Sequence, residues 1–159
     1  MGSRSLRAAQ ALDPSASIPV VALSLVANAS SEAHIQMGLA LRSLREEDVL
    51  IVGSGASFHN FKYIFAQGDL HDVGVAHSVV FDDWLQETMT SKGITNEVRL
   101  QRMAEWRNAP SARECQPAGA DEHITPLCVV LGAGGCEPAQ FVGVRMDTAS
   151  FAHSQFEYR

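Results

Sequence analysis

Two short stretches hold residues whose types and spacing could do chemistry. The first is Gly53-Ser54-Gly55-Ala56-Ser57-Phe58-His59-Asn60, in which a tight glycine turn is followed by an imidazole. The second is Asp121-Glu122-His123, two carboxylates and an imidazole at the expected start of a helix. Histidine with carboxylate is a ligand set for zinc or non-haem iron. Histidine is also the side chain suited to moving protons near neutral pH. Spacing alone does not bring the two stretches together. Each has a bland reading: His59 as a residue that packs or faces water after a turn, Glu122 as a helix-start charge, His123 as a partly buried helix residue.

Other chemistries fit the residues less well. Ser54 lies in Val-Gly-Ser-Gly-Ala, without the Gly-x-Ser-x-Gly setting of a nucleophile elbow. Gly53-x-Gly55 lacks the third glycine and the downstream acid of a dinucleotide fingerprint. His34, His71, His77 and His153 stand alone and read as structural or solvated. Cys115, Cys128 and Cys136 are odd in number and show no Cys-x-x-Cys spacing. Neither a disulfide framework nor a zinc knuckle is expected, and a reducing, cytoplasmic setting suits the chain.

The elements that must position these residues follow from pattern. Val49-Leu50-Ile51-Val52 reads as a buried strand entered from the charged Glu46-Glu47-Asp48, so His59 should lie beyond its carboxyl end, where open α/β sheets bind ligands. Ile18 to Val26 is a nearly continuous apolar run and reads as a central strand, with Pro19 near its entry. Between them a helix is expected over Glu32–Leu44, capped by Ser30 or Ser31, with Gly38 permitting close packing. Strand, helix and strand in that order predict a parallel pair with a right-handed crossover. Phe58, Phe61, Tyr63, Ile64 and Phe65 form an aromatic-rich cluster, read as core or as the lining for a flat substrate.

Gly68–Gly74 is expected as a polar loop, with helices over His77–Met89 and Asn96–Trp106. A further loop should cover 114–121. Asp121 would cap a buried helix through Ala133, with Pro126 in its first turn and Gly132, Gly134 and Gly135 at its end. Strands are expected at Phe141–Val144 and Ser150–Tyr158. Residues 1–17 read as a loose amino-terminal segment, weakly helical over Arg4–Ala11, with a turn at Asp13-Pro14-Ser15.

A chain of 159 residues suits one domain, and 46% hydrophobic with 19% charged residues permits a packed core. Net charge is −6, with no basic run and no basic–aromatic patch, so no nucleic-acid partner is expected. No apolar run reaches membrane-spanning length, and no secretory leader is expected.

Taken in order, several pieces bring one family to mind. They are Ile18-Pro19-Val20-Val21-Ala22-Leu23-Ser24-Leu25, Met37-Gly38-Leu39-Ala40-Leu41-Arg42-Ser43-Leu44, and Leu50-Ile51-Val52-Gly53-Ser54-Gly55 with His59-Asn60. Phe81-Asp82-Asp83-Trp84-Leu85, Glu122-His123-Ile124-Thr125-Pro126-Leu127 and Leu131-Gly132-Ala133-Gly134 follow. From about Ile18 to its end the chain resembles the carboxyl-terminal half of the class III extradiol ring-cleavage dioxygenases, in the branch that includes DOPA dioxygenases. The resemblance implies a three-layer α/β/α fold around a central, mostly parallel or mixed sheet. It implies one divalent metal, ferrous iron or zinc, and cleavage of a catechol-type ring with molecular oxygen. His59 matches the family histidine at the metal, as ligand or acid–base. The Glu122-His123 pair matches the source of a late ligand, His123 first and Glu122 as the alternative.

The family's amino-terminal half, with two further histidine ligands, has no counterpart here, and Gln116-Pro117 stands where relatives often carry His-Pro. The expectation is therefore a part of a longer or partnered dioxygenase that self-associates through uncovered apolar surface. The alternative is a non-catalytic fragment or subunit without a complete metal site.

Overall fold

In a computed structural model of the chain, the residues described are 10, 13–120, 122–146 and 150–159. The expected helix over Arg4–Ala11 lies outside them but for Gln10, as does the capping role given to Asp121.

The best-packed part is a pair of crossing helices. Helix α1 (Ser31–Leu41) starts at Ser30, whose side chain accepts from the Ala33 N–H, and runs into a 3-10 turn at Arg42–Glu47. After the short α2 (Phe61–Ile64), the long α3 (Asp69–Thr90), α4 (Asn96–Ala104) and the short α5 (Ala112–Cys115), the chain reaches α6 (Thr125–Ala133) with a proline in its first turn. Helices α1 and α6 meet backbone to backbone. A Cβ on Gly38 would overlap the Val129 carbonyl oxygen, and one on Gly132 would overlap that of Ile35. Two glycines facing each other thus set the helix separation, as expected of Gly38 alone.

The core gathers around this crossing. Ile35, Phe81, Leu85, Met89, Met103, Trp106, Cys128 and Leu131 are buried together. Trp106 donates from its indole nitrogen to Ser31 Oγ at 3.0 Å, so its one polar atom is satisfied. Arg99 is fully buried without a carboxylate partner in the hydrogen bonds it makes. Its guanidinium donates to the carbonyls of Thr88, Ser91 and Cys136, tying the end of α3 to the loop after α6.

A hairpin closes the chain. Strand β1 (Gln140–Met146) pairs antiparallel with β2 (Ala152–Glu157), with a register shift between Phe141 and Gly143. Asp82 holds β2 against α3, accepting from the Ser154 N–H at 2.8 Å and the Ser154 hydroxyl at 2.7 Å.

Three expectations are corrected. The segments 18–26 and 49–52 form neither helix nor strand and belong to no ladder, and no parallel pair forms between them. Their side chains face outward: Val21 is 92% exposed and Leu50 76%. An apolar run reports a segment suited to burial on both faces, but a ladder also requires a neighbour about 5 Å away. Among the described residues the sheet is the hairpin alone. Second, the loop expected at Gly68–Gly74 is the first two turns of α3, so His77 is mid-helix. Gly68 (φ 59°) makes the turn into the helix, and Asp69 and Asp72 sit in its first turn, where the dipole favours them. Gly74 packs under the Tyr63 ring, which a Cβ would strike. Third, the 114–121 loop begins with the end of α5, and Gln116 is fully buried.

All three cysteines are free and buried. Desolvation pushes the Cys115 and Cys128 thiols up to about 12, and Cys136 up as well. A thiol that ionises only when unfolded leaves native stability intact below pH 9 and erodes it as pH rises from 9 toward about 12. Native protein at pH 8 is expected to resist a thiol-alkylating reagent and to react at all three positions in denaturant. Rapid labelling without denaturant would contradict this packing.

Candidate functional site

The two stretches singled out by residue type meet. The rings of His59 and His123 lie 3.7 Å apart between centroids, tilted by 42°. Glu122 is beside them, with Oε1 at 3.3 Å from His123 Nε2. His123 is largely covered, whereas Glu122 reaches solvent.

The local sequence explains why they meet. Past Val52 the chain runs alongside residues 123–126 so closely that side chains are excluded. A Cβ on Gly55 would overlap the His123 carbonyl oxygen, and one on Gly53 would lie 2.6 Å from Val130 Cγ2 and 2.8 Å from Pro126 O. The approach is fixed by a backbone hydrogen bond to His123 and by bonds between residues 56–60 and 114–116. Ala56 N–H donates to His123 O at 3.0 Å. His59 N–H donates to Cys115 O at 2.8 Å, and the Gln116 amide donates to Ala56 O at 2.8 Å. Asn60 caps α2 by accepting from Lys62 N–H, and its own amide donates to Glu114 O at 2.6 Å. His59 is therefore held on both sides by backbone.

Two buried polar atoms here have no hydrogen-bond partner among the described residues: His59 Nδ1 and Gln116 Oε1. An orphaned buried polar atom costs on the order of 1–3 kcal/mol, so atoms of this kind point to a missing partner or a chemical task. On the exposed side His59 meets Phe61 edge-on at 4.6 Å, and Phe61 stacks on Phe65 at 5.5 Å. The aromatic cluster divides accordingly: Phe58 and Tyr63 are buried core, and Phe61 and Phe65 are exposed.

The remaining histidines lie elsewhere in the bonding pattern. His34 Nδ1 donates to Ser30 O, and its Nε2 accepts from the Val26 N–H, which uses the whole ring in a helix start. His77 Nδ1 is 2.9 Å from Ser111 Oγ. His71 packs on Phe151 at 5.3 Å between ring centroids. His153 Nδ1 is 3.4 Å from Ser57 Oγ, two residues before His59. Residue-type reasoning passed over the burial and bracing part of Gln116, since a glutamine between a cysteine and a proline in a polar stretch gives no sign of burial. For Asn60 the sign was there: an asparagine directly before an aromatic run can cap a helix.

Comparison with known proteins settles the family. The model of the catalytic LigB subunit of aromatic ring-opening dioxygenases matches residues 10–156. The chain belongs to this family. It is a class III extradiol dioxygenase family member. It is 34% identical to the dioxygenase tasH of Hapsidospora irregularis over 76% of this chain and 38% of that protein. It is 35% identical to the 4,5-DOPA dioxygenase extradiol of Beta vulgaris, over 77% of this chain and 42% of the relative. With the Escherichia coli K12 protein of the same description the figures are 29%, 89% and 51%. The chain thus spans about two fifths to half the length of these relatives. The crystal structure of an uncharacterized Escherichia coli K12 protein superposes with a TM-score of 0.72 at 23% identity, covering 91% of this chain and 57% of that one. That likeness shows a shared α/β fold.

Proposed function

We propose that this chain is the metal-proximal part of an extradiol dioxygenase that opens a catechol-type ring with molecular oxygen, acting within a longer or partnered protein. The observation that carries the reading is the His59–His123 pair, with a buried His59 nitrogen left unpartnered. The relatives' names, DOPA dioxygenase among them, support the substrate class.

The residues fit part of a metal site. Two imidazoles in contact and a neighbouring carboxylate are donors that ferrous iron or zinc accepts, but stable sites take three or four protein ligands. Among the described residues no group of three or more such side chains is placed to hold an ion. His59 and His123 would hold it, with Glu122 as the alternative to His123. When bound, the ion would supply Lewis-acid charge stabilisation at the catechol oxygens. In the alternative role of acid–base, His59 would hold or pass on the catechol hydroxyl proton at an imidazole nitrogen, while the backbone bonds at Ala56 and His59 and the side-chain amide of Gln116 keep the segment in place.

The exposed segments 18–26 and 49–52 support the partnered form of this reading. We propose that they join further strands in a mixed sheet between helical layers, residues 18–159 forming the carboxyl-terminal half of that domain. Copies lacking such cover would self-associate through the same segments. A small-molecule substrate and oxygen are the partners; nucleic acid and membrane are not. The free thiols suit a cytoplasmic protein, and no helix among the described residues is long and apolar enough to cross a membrane.

The same exposed segments favour a second reading, a non-catalytic fragment or subunit. Oxygen uptake with catechol and ferrous iron separates the two. Uptake by the chain with its completing polypeptide is the expected result; binding without uptake in that assembly favours the second reading.

A further inference from the structure

We infer that Phe61, backed by Phe65, is the face on which the aromatic ring of the ligand stacks, so that preference for a flat ring is set beside the imidazole pair. The inference rests on the proposed catechol-cleaving reading and adds a residue to it.

Four rings form one row: His123, His59, Phe61 and Phe65, with successive centroid separations of 3.7, 4.6 and 5.5 Å. The inner pair includes the buried, unpartnered His59 Nδ1. The outer end is bare, Phe61 being 55% and Phe65 77% exposed. Two adjacent phenylalanines this exposed gain little from the core, which Phe58 and Tyr63 already fill. Phe61 meets His59 at 61° and stacks on Phe65 at 26°, and the two phenylalanines still present ring surface to solvent. A guest ring at ordinary stacking separation, about 4.5–7 Å between centroids, would then sit within reach of the imidazoles. The position is rigid: Phe61 opens α2 directly after Asn60, whose side chain caps that helix and grips Glu114 O.

The test compares catechol with cis-cyclohexane-1,2-diol, which keeps two neighbouring hydroxyls and lacks the flat ring. Affinities are measured by titration for the wild-type chain, Phe61→Leu, Phe61→Tyr and His59→Ala. Phe61→Leu is expected to weaken catechol binding by about tenfold, with the diol unchanged and Phe61→Tyr close to wild type. Because the Phe61 side chain is half exposed, both Phe61 variants should melt as wild type does. The inference is overturned if wild type does not bind catechol, if Phe61→Leu binds it as tightly as wild type, or if both ligands weaken equally. Its failure is separable from that of the parent reading. Unchanged catechol binding in Phe61→Leu, with binding lost in His59→Ala, removes the stacking face and leaves the imidazole site. A Phe61-dependent preference in an assembly that opens no ring keeps the stacking face and removes the dioxygenase.

Discussion

Replacing His59 by alanine is expected to lower ring cleavage by a factor of about 10²–10⁴, the usual contribution of a positioned acid–base group. The assay is oxygen uptake with catechol and ferrous iron, in the assembly in which the wild-type chain is active. Two readings of His59 predict different accompaniments. An acid–base acts chiefly in the transition state, so kcat falls and catechol KM moves little. A ligand takes the metal with it, so metal content falls in parallel with rate. The substitution itself should not unfold the chain, because His59 is only partly buried and its structural bonds run through its backbone N–H to Cys115 O. A variant that keeps wild-type turnover would remove His59 from the chemistry altogether.

The largest stability effect should come from Gly132→Ala. Alanine is favoured over glycine inside a helix by about 1 kcal/mol. Here that gain is opposed by overlap with the Ile35 carbonyl oxygen, and the nearest further atoms, Leu39 N and Gly38 Cα, also belong to backbone. Neither helix can give by rotating a side chain, so α1 and α6 must move apart. Overpacking of this kind costs about 3 kcal/mol or more, for a net loss of roughly 2 kcal/mol and a melting point lower by several degrees. Gly143→Ala is the control, since nothing lies within 4 Å of a Cβ there. A Gly132→Ala variant as stable as the control would mean that the crossing is looser than the glycine contacts imply.

What the sequence disclosed was mostly local. Ser30 as a cap, Pro126 in the first turn of α6 and Gly134 and Gly135 after its end depend on neighbours a few residues away, so they could be read directly, whereas Gly132, read as part of that ending, lies inside the helix against α1. Gly53-Ser54-Gly55 read as a tight turn, but no turn forms there, and the two glycines instead make room for the 123–126 backbone, which is distant in sequence. The beginning of α3 was missed because Gly68 and Gly74 look alike in a list of loop residues. One makes the turn before the helix, and the other, inside it, makes room for the Tyr63 ring. The apolar runs at 18–26 and 49–52 read as buried strands, and the structure leaves them exposed and unpaired, because no run of side chains names the strand that must lie beside it. The meeting of His59 and His123 was expected from family resemblance, not from spacing. Its physical basis, backbone bonds at Ala56 and His59 and the buried amide of Gln116, became visible only in three dimensions.

The central claim is that His59 and His123 act as one site, and a double-mutant cycle on metal binding tests it most directly. Binding of cobalt(II), a spectroscopic stand-in for iron or zinc, is titrated into the wild-type chain, His59→Ala, His123→Ala and the double variant. With two facing imidazoles as the main donors, the wild-type chain should bind weakly and lose the ion to a mild chelator. Each single substitution should then abolish the spectrum almost as fully as the pair does, because removing one donor of a shared ion leaves the other without an effective site. Two independent losses that simply add, or a spectrum unchanged in either single variant, would contradict a shared site.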